Sequence, residues 1–339
     1  MAPALFLFLF APVSAEYLIG YDDIIGNPAA LIFGLVIFAP LYGAPAVLIR
    51  ETTRRAGRGW PSMLLLGLAF GLVQAGVIDQ SLFNPAYRAI PYWDNIREPT
   101  LLPAIGVSAF MALDFLGGHA FGSICAPIAL AEALVPERGT RPWLGPVGLA
   151  VVAGLWLLAA VFVLRDTLAN ETLTASPAQL ASTTIIILVL VALAFTRPRT
   201  SQRPVASDHV SDHVPTPLVV GALSFALLGI RPLLGALSPV SPQPNSWLPT
   251  SIAFGAVVVW LVLVGRWSRR HDWSGPHVLA AAAGSLLGVA GAAFIVEPLG
   301  NVPATAKYVT NAVLLAMVLL LVVLAARAQR QYRVEQGVR

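Results

Sequence analysis

Six polar side chains stand inside or beside long apolar runs of this chain: Glu51, Gln74, Asp79, Asp114, His119 and Glu132. An ionisable group in a bilayer is costly to hold, and its default role is to bind or move something. Asp79 closes a stripe of small residues, Gly67, Gly71 and Ala75, at four-residue spacing. Asp114 opens the reverse stripe, Gly118, Gly122 and Ala126. That spacing keeps positions on one helix face and lets two backbones approach closely. On adjacent antiparallel helices the two acids fall in the same half of the membrane. There they either share a proton or a cation, or make plain structural hydrogen bonds. His119, with Ser123 four residues on, fits a proton relay, a solute ligand, or a hydrogen bond to a backbone carbonyl freed by the neighbouring glycines. Gln74 is uncharged and suits an interhelical hydrogen bond. Arg231, just before Pro232, either snorkels, pairs with a buried acid or faces a polar cavity.

Other chemistry is poorly supplied. One cysteine, Cys125, rules out an intramolecular disulfide and any multi-cysteine metal site. His209 and His213, in the repeated Ser-Asp-His-Val of the 197–217 segment, could share a metal on a helix, but the flanking prolines favour a solvated linker. Asn170-Glu171-Thr172 matches a glycosylation pattern that chance supplies often. No metal and no cofactor is expected. A net charge of +4 does not point to nucleic acid, because the basic residues sit in short clusters between apolar runs.

The elements that must position these groups are membrane helices. Of the 339 residues, 57% are hydrophobic and 11% charged, with a mean hydropathy of +0.76. Soluble domains carry about 25% charged residues. Apolar runs near twenty residues recur along the whole length. The sequence predicts an all-α polytopic integral membrane helix bundle of about ten transmembrane helices. Spans fall near 2–20, 28–49, 60–83, one crossing within 101–135, then 143–165, 178–196, 216–237, 249–265, 276–297 and 305–326. The first of these is read as a retained span, because no basic residue precedes it as a signal peptide requires. As one helix, 101–135 would be about 52 Å long against a hydrocarbon core of about 30 Å. Its surplus is expected as extra helix at the cytoplasmic end.

Orientation follows from arginine. Arg50, Arg54, Arg55 and Arg58 crowd one short loop, and a single crossing in 101–135 sends the clusters at Arg138/Arg141, Arg266/Arg269/Arg270 and Arg327/Arg330/Arg333 to that same side. Both termini are then cytoplasmic, in a cell membrane of the bacterial inner-membrane type. The polar groups concentrate in residues 1–165, the candidate site half. Residues 166–339 read as a supporting half, with Ala280, Gly284, Gly288 and Ala292 as a packing stripe.

The segment 41–74 resembles the core of the CAAX-protease and bacteriocin-processing family of intramembrane proteases. It offers Glu51-Thr52-Thr53-Arg54-Arg55, then Trp60, then Phe70-Gly71-Leu72-Val73-Gln74, and later His119. It departs from that family in having Arg50 before Glu51 instead of a glutamate pair, and Gln74 where a histidine is expected; glutamine cannot serve as general base. The resemblance implies a divergent, non-catalytic relative that binds a peptide or lipid-like ligand at a polar intramembrane site formed by Glu51, Gln74 and His119. The chain also resembles uncharacterised bacterial membrane proteins with a YG…IRE…RR…GW…LG pattern. Two alternatives stand beside this reading: a small-solute or proton-coupled transporter, and a structural membrane partner subunit. Membrane lipids are the expected surroundings in each case.

Overall fold

The computed structural model describes residues 1–196, 214–237 and 246–337. Among them, ten apolar helices build one bundle: α1 (Ala2–Tyr17), α2 (Pro28–Arg55), α3 (Trp60–Ile78), α4 (Ala109–Leu134), α5 (Pro146–Asn170), α6 (Pro177–Thr196), α7 (Pro217–Leu237), α8 (Trp247–Trp267), α9 (Gly275–Ala292) and α10 (Ala304–Glu335). All but α1 are long and apolar enough to cross a membrane. The expected all-α polytopic bundle is therefore what forms. Several helices start on a proline in the first turn, where its missing N–H costs nothing. Asn27 caps α2 by accepting from the Ala30 amide at 3.2 Å, and Ser108 caps α4 through the Met111 amide at 3.3 Å. The His209/His213 pair lies outside the described residues.

The core sits around α4. Every residue from Ala126 to Ala133 is buried, and the apolar cluster there joins α1, α4, α9 and α10. In the apolar windows of α3, α4 and α9, 67% of positions are buried inside the protein, against 6% for α5. Burial thus sorts the helices into an inner set and a lipid-facing set. The close packing of α3 on α4 is as expected, but the contacting residues differ. A Cβ at Gly67 would lie 3.1 Å from the Ala120 Cα, and one at Gly71 would lie 3.3 Å from His119. Gly118 instead faces Arg231 of α7, and a Cβ at Gly122 would meet nothing within 4 Å. The α4 stripe therefore serves two sides of the helix. The packing stripe of α9 is confirmed: Gly284 presses on the Gly221 carbonyl of α7, and Gly288 meets Gly229.

The surplus in 101–135 is at the other end from the one expected, and it is not helix. Leu101 and Leu102 (β1) pair antiparallel with Val107 and Ser108 (β2), closing on Gly106 at φ +70°. Pro103 and Gly106 break the helix, while Thr100 Oγ1 holds Ser108 Oγ at 3.0 Å and accepts the Phe110 amide at 3.0 Å. One end of the bundle gathers the arginine loops: Arg50 reaches residues 138–141, Arg58 bonds the Phe195 carbonyl, and Ser62 bonds the Ala194 carbonyl at 2.7 Å. The opposite end gathers residues 18–27, 79–108, 166–176 and 297–303, joined by bonds such as Leu299 N to the Tyr21 carbonyl at 2.7 Å.

Candidate functional site

Two polar clusters emerge, one at each end of the bundle, and they divide the six sequence candidates. At the arginine end, Arg50 is wholly buried on the last turns of α2. Its Nε donates to Glu132 at 3.0 Å, its Nη1 to Glu51 at 2.5 Å, and its Nη2 to the carbonyls of Gly139 at 2.6 Å and Arg141 at 2.8 Å. The guanidinium plane lies 3.2 Å from the centroid of the Trp143 ring. Glu51 accepts the Trp143 amide at 2.9 Å, the Leu144 amide at 3.2 Å and Arg55 at 3.2 Å. Arg54 grips Glu132 with Nε at 2.8 Å and Nη2 at 2.5 Å. Glu51 and Glu132 are thus fully matched by arginines and amides. This cluster clamps the 136–145 loop and leaves no free carboxylate for a ligand.

The second cluster is organised by backbone irregularity. Four helices each widen into a π-turn: Val13–Tyr17 in α1, Ala39–Gly43 in α2, Val73–Ile78 in α3 and Gly118–Cys125 in α4. Such turns are rare and occur often at functional sites. Pro12, Pro40 and Pro45, Gly76, and Gly118, Gly122 and Pro127 flank or occupy them; proline removes an amide and crowds the preceding turn, so the helix relaxes by widening. The α1 and α4 turns meet, and the α2 turn packs on α1. Ser14 donates to the Gly122 carbonyl at 2.8 Å, and a Cβ at Gly43 would run into the Phe8 carbonyl of α1.

Each π-turn carries a polar side chain: Glu16, Tyr42, Gln74 and His119. Glu16 is buried and accepts the Tyr21 hydroxyl at 2.6 Å, with the Tyr42 hydroxyl beside it. Gln74, 2% exposed, donates its Nε2 to Asp79 Oδ2 at 3.1 Å, while its Oε1 is buried with no hydrogen-bond partner. Asp79 also accepts the Ser81 amide at 2.9 Å. His119 stacks on Tyr42 with ring centroids 5.7 Å apart, meets Phe70 edge-on at 5.6 Å, and faces Ser123 at 3.4 Å. Tyr42 has both Glu16 and Asp79 among its charged neighbours. A model of an uncharacterized membrane protein family matches residues 5–333, which takes in both clusters and all ten helices. The chain belongs to that family. No curated protein and no solved structure matches it.

In this member of the uncharacterized membrane protein family, Gln74 bonds Asp79, His119 packs with Tyr42 and Phe70, and Glu51 and Glu132 lie at the arginine end. Asp114 forms an ion pair with Arg231, whose Nη1 also donates to the Asp114 carbonyl at 3.1 Å. Asp79 and Asp114 therefore do not share a ligand: one has an arginine and the other an amide side chain. Glu16, Tyr21 and Tyr42 are the members that reasoning from the sequence did not find. Glu16 stands at the end of its apolar run, a position that by itself does not mark it as buried. The available signal was local, namely Pro12 and Ser14 just ahead of it and Pro40 beside Tyr42.

Beyond Asp79 the loops of the opposite end cover the cluster. Asn84 Nδ2 and the Arg88 amide both bond Glu171, at 2.7 and 3.0 Å, and the Trp93 indole bonds the Asn84 carbonyl at 2.9 Å. Gln80 and Arg88 hold φ of 55° and 50°, a costly conformation for such residues. A cavity of about 510 Å³ opens among Arg88, Asp166, Thr167, Asn170 and Glu171. Tyr87, tilted against the Trp93 ring, belongs to the same loops. Burial, and then the negative field of Asp79, raise the Tyr87 hydroxyl above its ordinary range, so it stays a neutral donor.

Proposed function

We propose that this protein is a membrane carrier whose π-turn cluster holds a small positive charge, a proton or a small cation, inside the bundle. One observation carries the reading. Glu51, Glu132 and Asp114 are matched by arginines, whereas Glu16 and Asp79 have only neutral hydrogen-bond donors, Tyr21, Gln74 and Ser81, among the described residues. Glu16 is buried and Asp79 half-buried, and neither forms an ion pair among the described residues, an arrangement that favours protonation of a carboxylate. Acids in membrane interiors commonly mark proton or ion paths. Irregular backbone at membrane depth, tolerated where it lines a site, supports the same reading.

The test is reconstitution in liposomes with an imposed gradient of protons or of monovalent cations. Wild type is expected to pass one of them, and Glu16→Gln and Asp79→Asn to abolish that flux. If wild-type vesicles pass neither, and infrared difference spectra show no carboxyl signal that Glu16→Gln removes, the reading is wrong. Full tolerance of both substitutions in cells would favour the structural-partner alternative.

The reading as a divergent, non-catalytic relative of CAAX-type intramembrane proteases, with a peptide or lipid-like ligand, draws on Gln74, on His119 and on the Tyr42 ring stacked on His119. It gains nothing from Glu51, whose carboxylate is used up at the arginine end. By the positive-inside rule we place the arginine end in the cytoplasm of a bacterial-type cell, with membrane lipid around α5 and α6.

A further inference from the structure

Gln74 and Asp79 are five residues apart, yet their side chains touch: Gln74 Nε2 donates to Asp79 Oδ2 at 3.1 Å. In a regular α-helix that spacing points two side chains about 140° apart. The π-turn removes the difference. The Asp79 amide closes on the Gln74 carbonyl at 3.0 Å, five residues back, and the widened turn sets both side chains on one side. Gln74 is buried, whereas Asp79 is only half-buried and stays open to exchange with water. One acceptor is left over: Gln74 Oε1 is buried with no hydrogen-bond partner.

The two oxygens of the Asp79 carboxyl group differ in what they face. Oδ1 accepts the Ser81 main-chain amide at 2.9 Å. A main-chain N–H only donates, so this oxygen stays an acceptor. Oδ2 faces a primary amide, which can offer either an N–H or an oxygen. With Asp79 ionised, Nε2 donates to Oδ2 and Oε1 is idle, at the cost of a buried acceptor left unpaired. With a proton on Oδ2, half a turn about the last side-chain bond of Gln74 brings Oε1 there. The Oδ2–H bond to Oε1 then replaces the Nε2–H bond to Oδ2, and Nε2 takes the space that Oε1 leaves. The proton comes from water, and no covalent bond of Gln74 changes.

We infer that Asp79 holds the proton, on Oδ2, and that Gln74 is its positioning partner, turning its amide as the proton arrives and leaves. This rests on the reading of the π-turn region as a site for a small positive charge, and narrows that charge to a proton. The charged and titratable groups around Asp79 are Tyr42 of α2, Glu16 of α1, and Tyr87 and Arg88 of the covering loop. Arg88 in turn faces Asp166 and Glu171 at the end of α5. From α4 and α6 the same turn meets uncharged Leu116, Ile187 and Thr183, while His119 faces Tyr42 and Phe70. Arg88 draws Asp79 toward the ionised form and Glu16 draws it toward the protonated one, so both states stay within reach.

The test uses the full chain in detergent, with infrared difference spectra recorded across a pH titration and glutamine side-chain amides carrying carbon-13. Wild type is expected to gain a neutral-carboxyl component on acidification that Asp79→Asn removes, with a labelled-amide band shifting at the same midpoint. Gln74→Leu should abolish the amide shift and raise the carboxyl midpoint by about one pH unit, because the bond it deletes from the ionised form is charge-assisted and roughly twice as strong as its neutral counterpart. No carboxyl component lost in Asp79→Asn, a labelled amide that stays still while the carboxyl titrates, or a midpoint unmoved or lowered in Gln74→Leu would each overturn the inference. Should Gln74→Leu fail to fold, the wild-type amide band decides alone. In liposomes, flux of sodium or potassium without proton flux would overturn it while leaving the carrier standing. Absence of any flux and of any carboxyl component would end the broader reading too.

Discussion

Arg50 spends its whole guanidinium on two glutamates, two loop carbonyls and the face of Trp143. At such a residue the partner matters more than the charge itself, because removing one side of a buried pair strands the other. Glu51→Ala is therefore expected to destabilise by about 3–5 kcal/mol, seen as a lower unfolding temperature in detergent. Arg50→Lys should not rescue the site, since one ammonium cannot bond both glutamates and the carbonyls or stack on Trp143. A mild effect from either change would show that the 136–145 loop is held by something else. Asp114 and Arg231 form a smaller case of the same kind. A double-mutant cycle of Asp114→Asn and Arg231→Gln should return a coupling of about 0.5–3 kcal/mol, and additive single effects would mean that the pair is idle.

At the scale of elements, glycine decides how close two helices come. Gly284 lies against the Gly221 carbonyl, so a methyl group there has nowhere to go. Gly284→Ala should cost about 1–3 kcal/mol as overpacking, although alanine is the better helix former. Gly255 on α8 has nothing within 4 Å of its missing Cβ, and Gly255→Ala should be neutral or slightly stabilising. Thermal unfolding of the two variants side by side checks this; equal effects would contradict the close α7–α9 crossing. The π-turns are a second device of the same scale. They let four helices bend polar groups inward without exposing bare backbone to lipid, as the Ser14 bond to the Gly122 carbonyl illustrates.

For the whole molecule, the two ends differ in kind: one is closed by buried ion pairs, and at the other Glu16 and Asp79 accept from neutral donors beneath the loops. Cys125, the chain's single cysteine, is buried in α4 between them. It should resist maleimide in the native protein and react after denaturation. Prompt labelling of the native protein would mean that water reaches the middle of α4. A fluorescent reporter fused after residue 339 should light up in the cytoplasm if the arginine end faces inward; a dark fusion with normal expression would invert the topology.

Hydropathy alone was enough for the helix bundle, because a bilayer penalises every unpaired backbone group and leaves a helix as the way for an apolar run to cross. Nearly all ten helices are legible that way, as is the α9 stripe, where small residues at helical spacing mean close contact wherever they fall. The exception, 101–108, carries its own break in Pro103 and Gly106, and a hydropathy window averages over both. The site was only half legible. Gln74, Asp79 and His119 stand out because polar groups in apolar runs are rare. Their partners do not, because pairing depends on which helices become neighbours. Glu16, Asp114 and Glu132 are all acids near apolar stretches, and nothing in their local sequence says that two of them meet an arginine and one meets a pair of tyrosines. That distinction arises only when the helices pack, bringing Arg50 and Arg54 of α2 to Glu132, Arg231 of α7 to Asp114 and Tyr21 to Glu16, since charge compensation acts over a few ångströms in space and not along the chain.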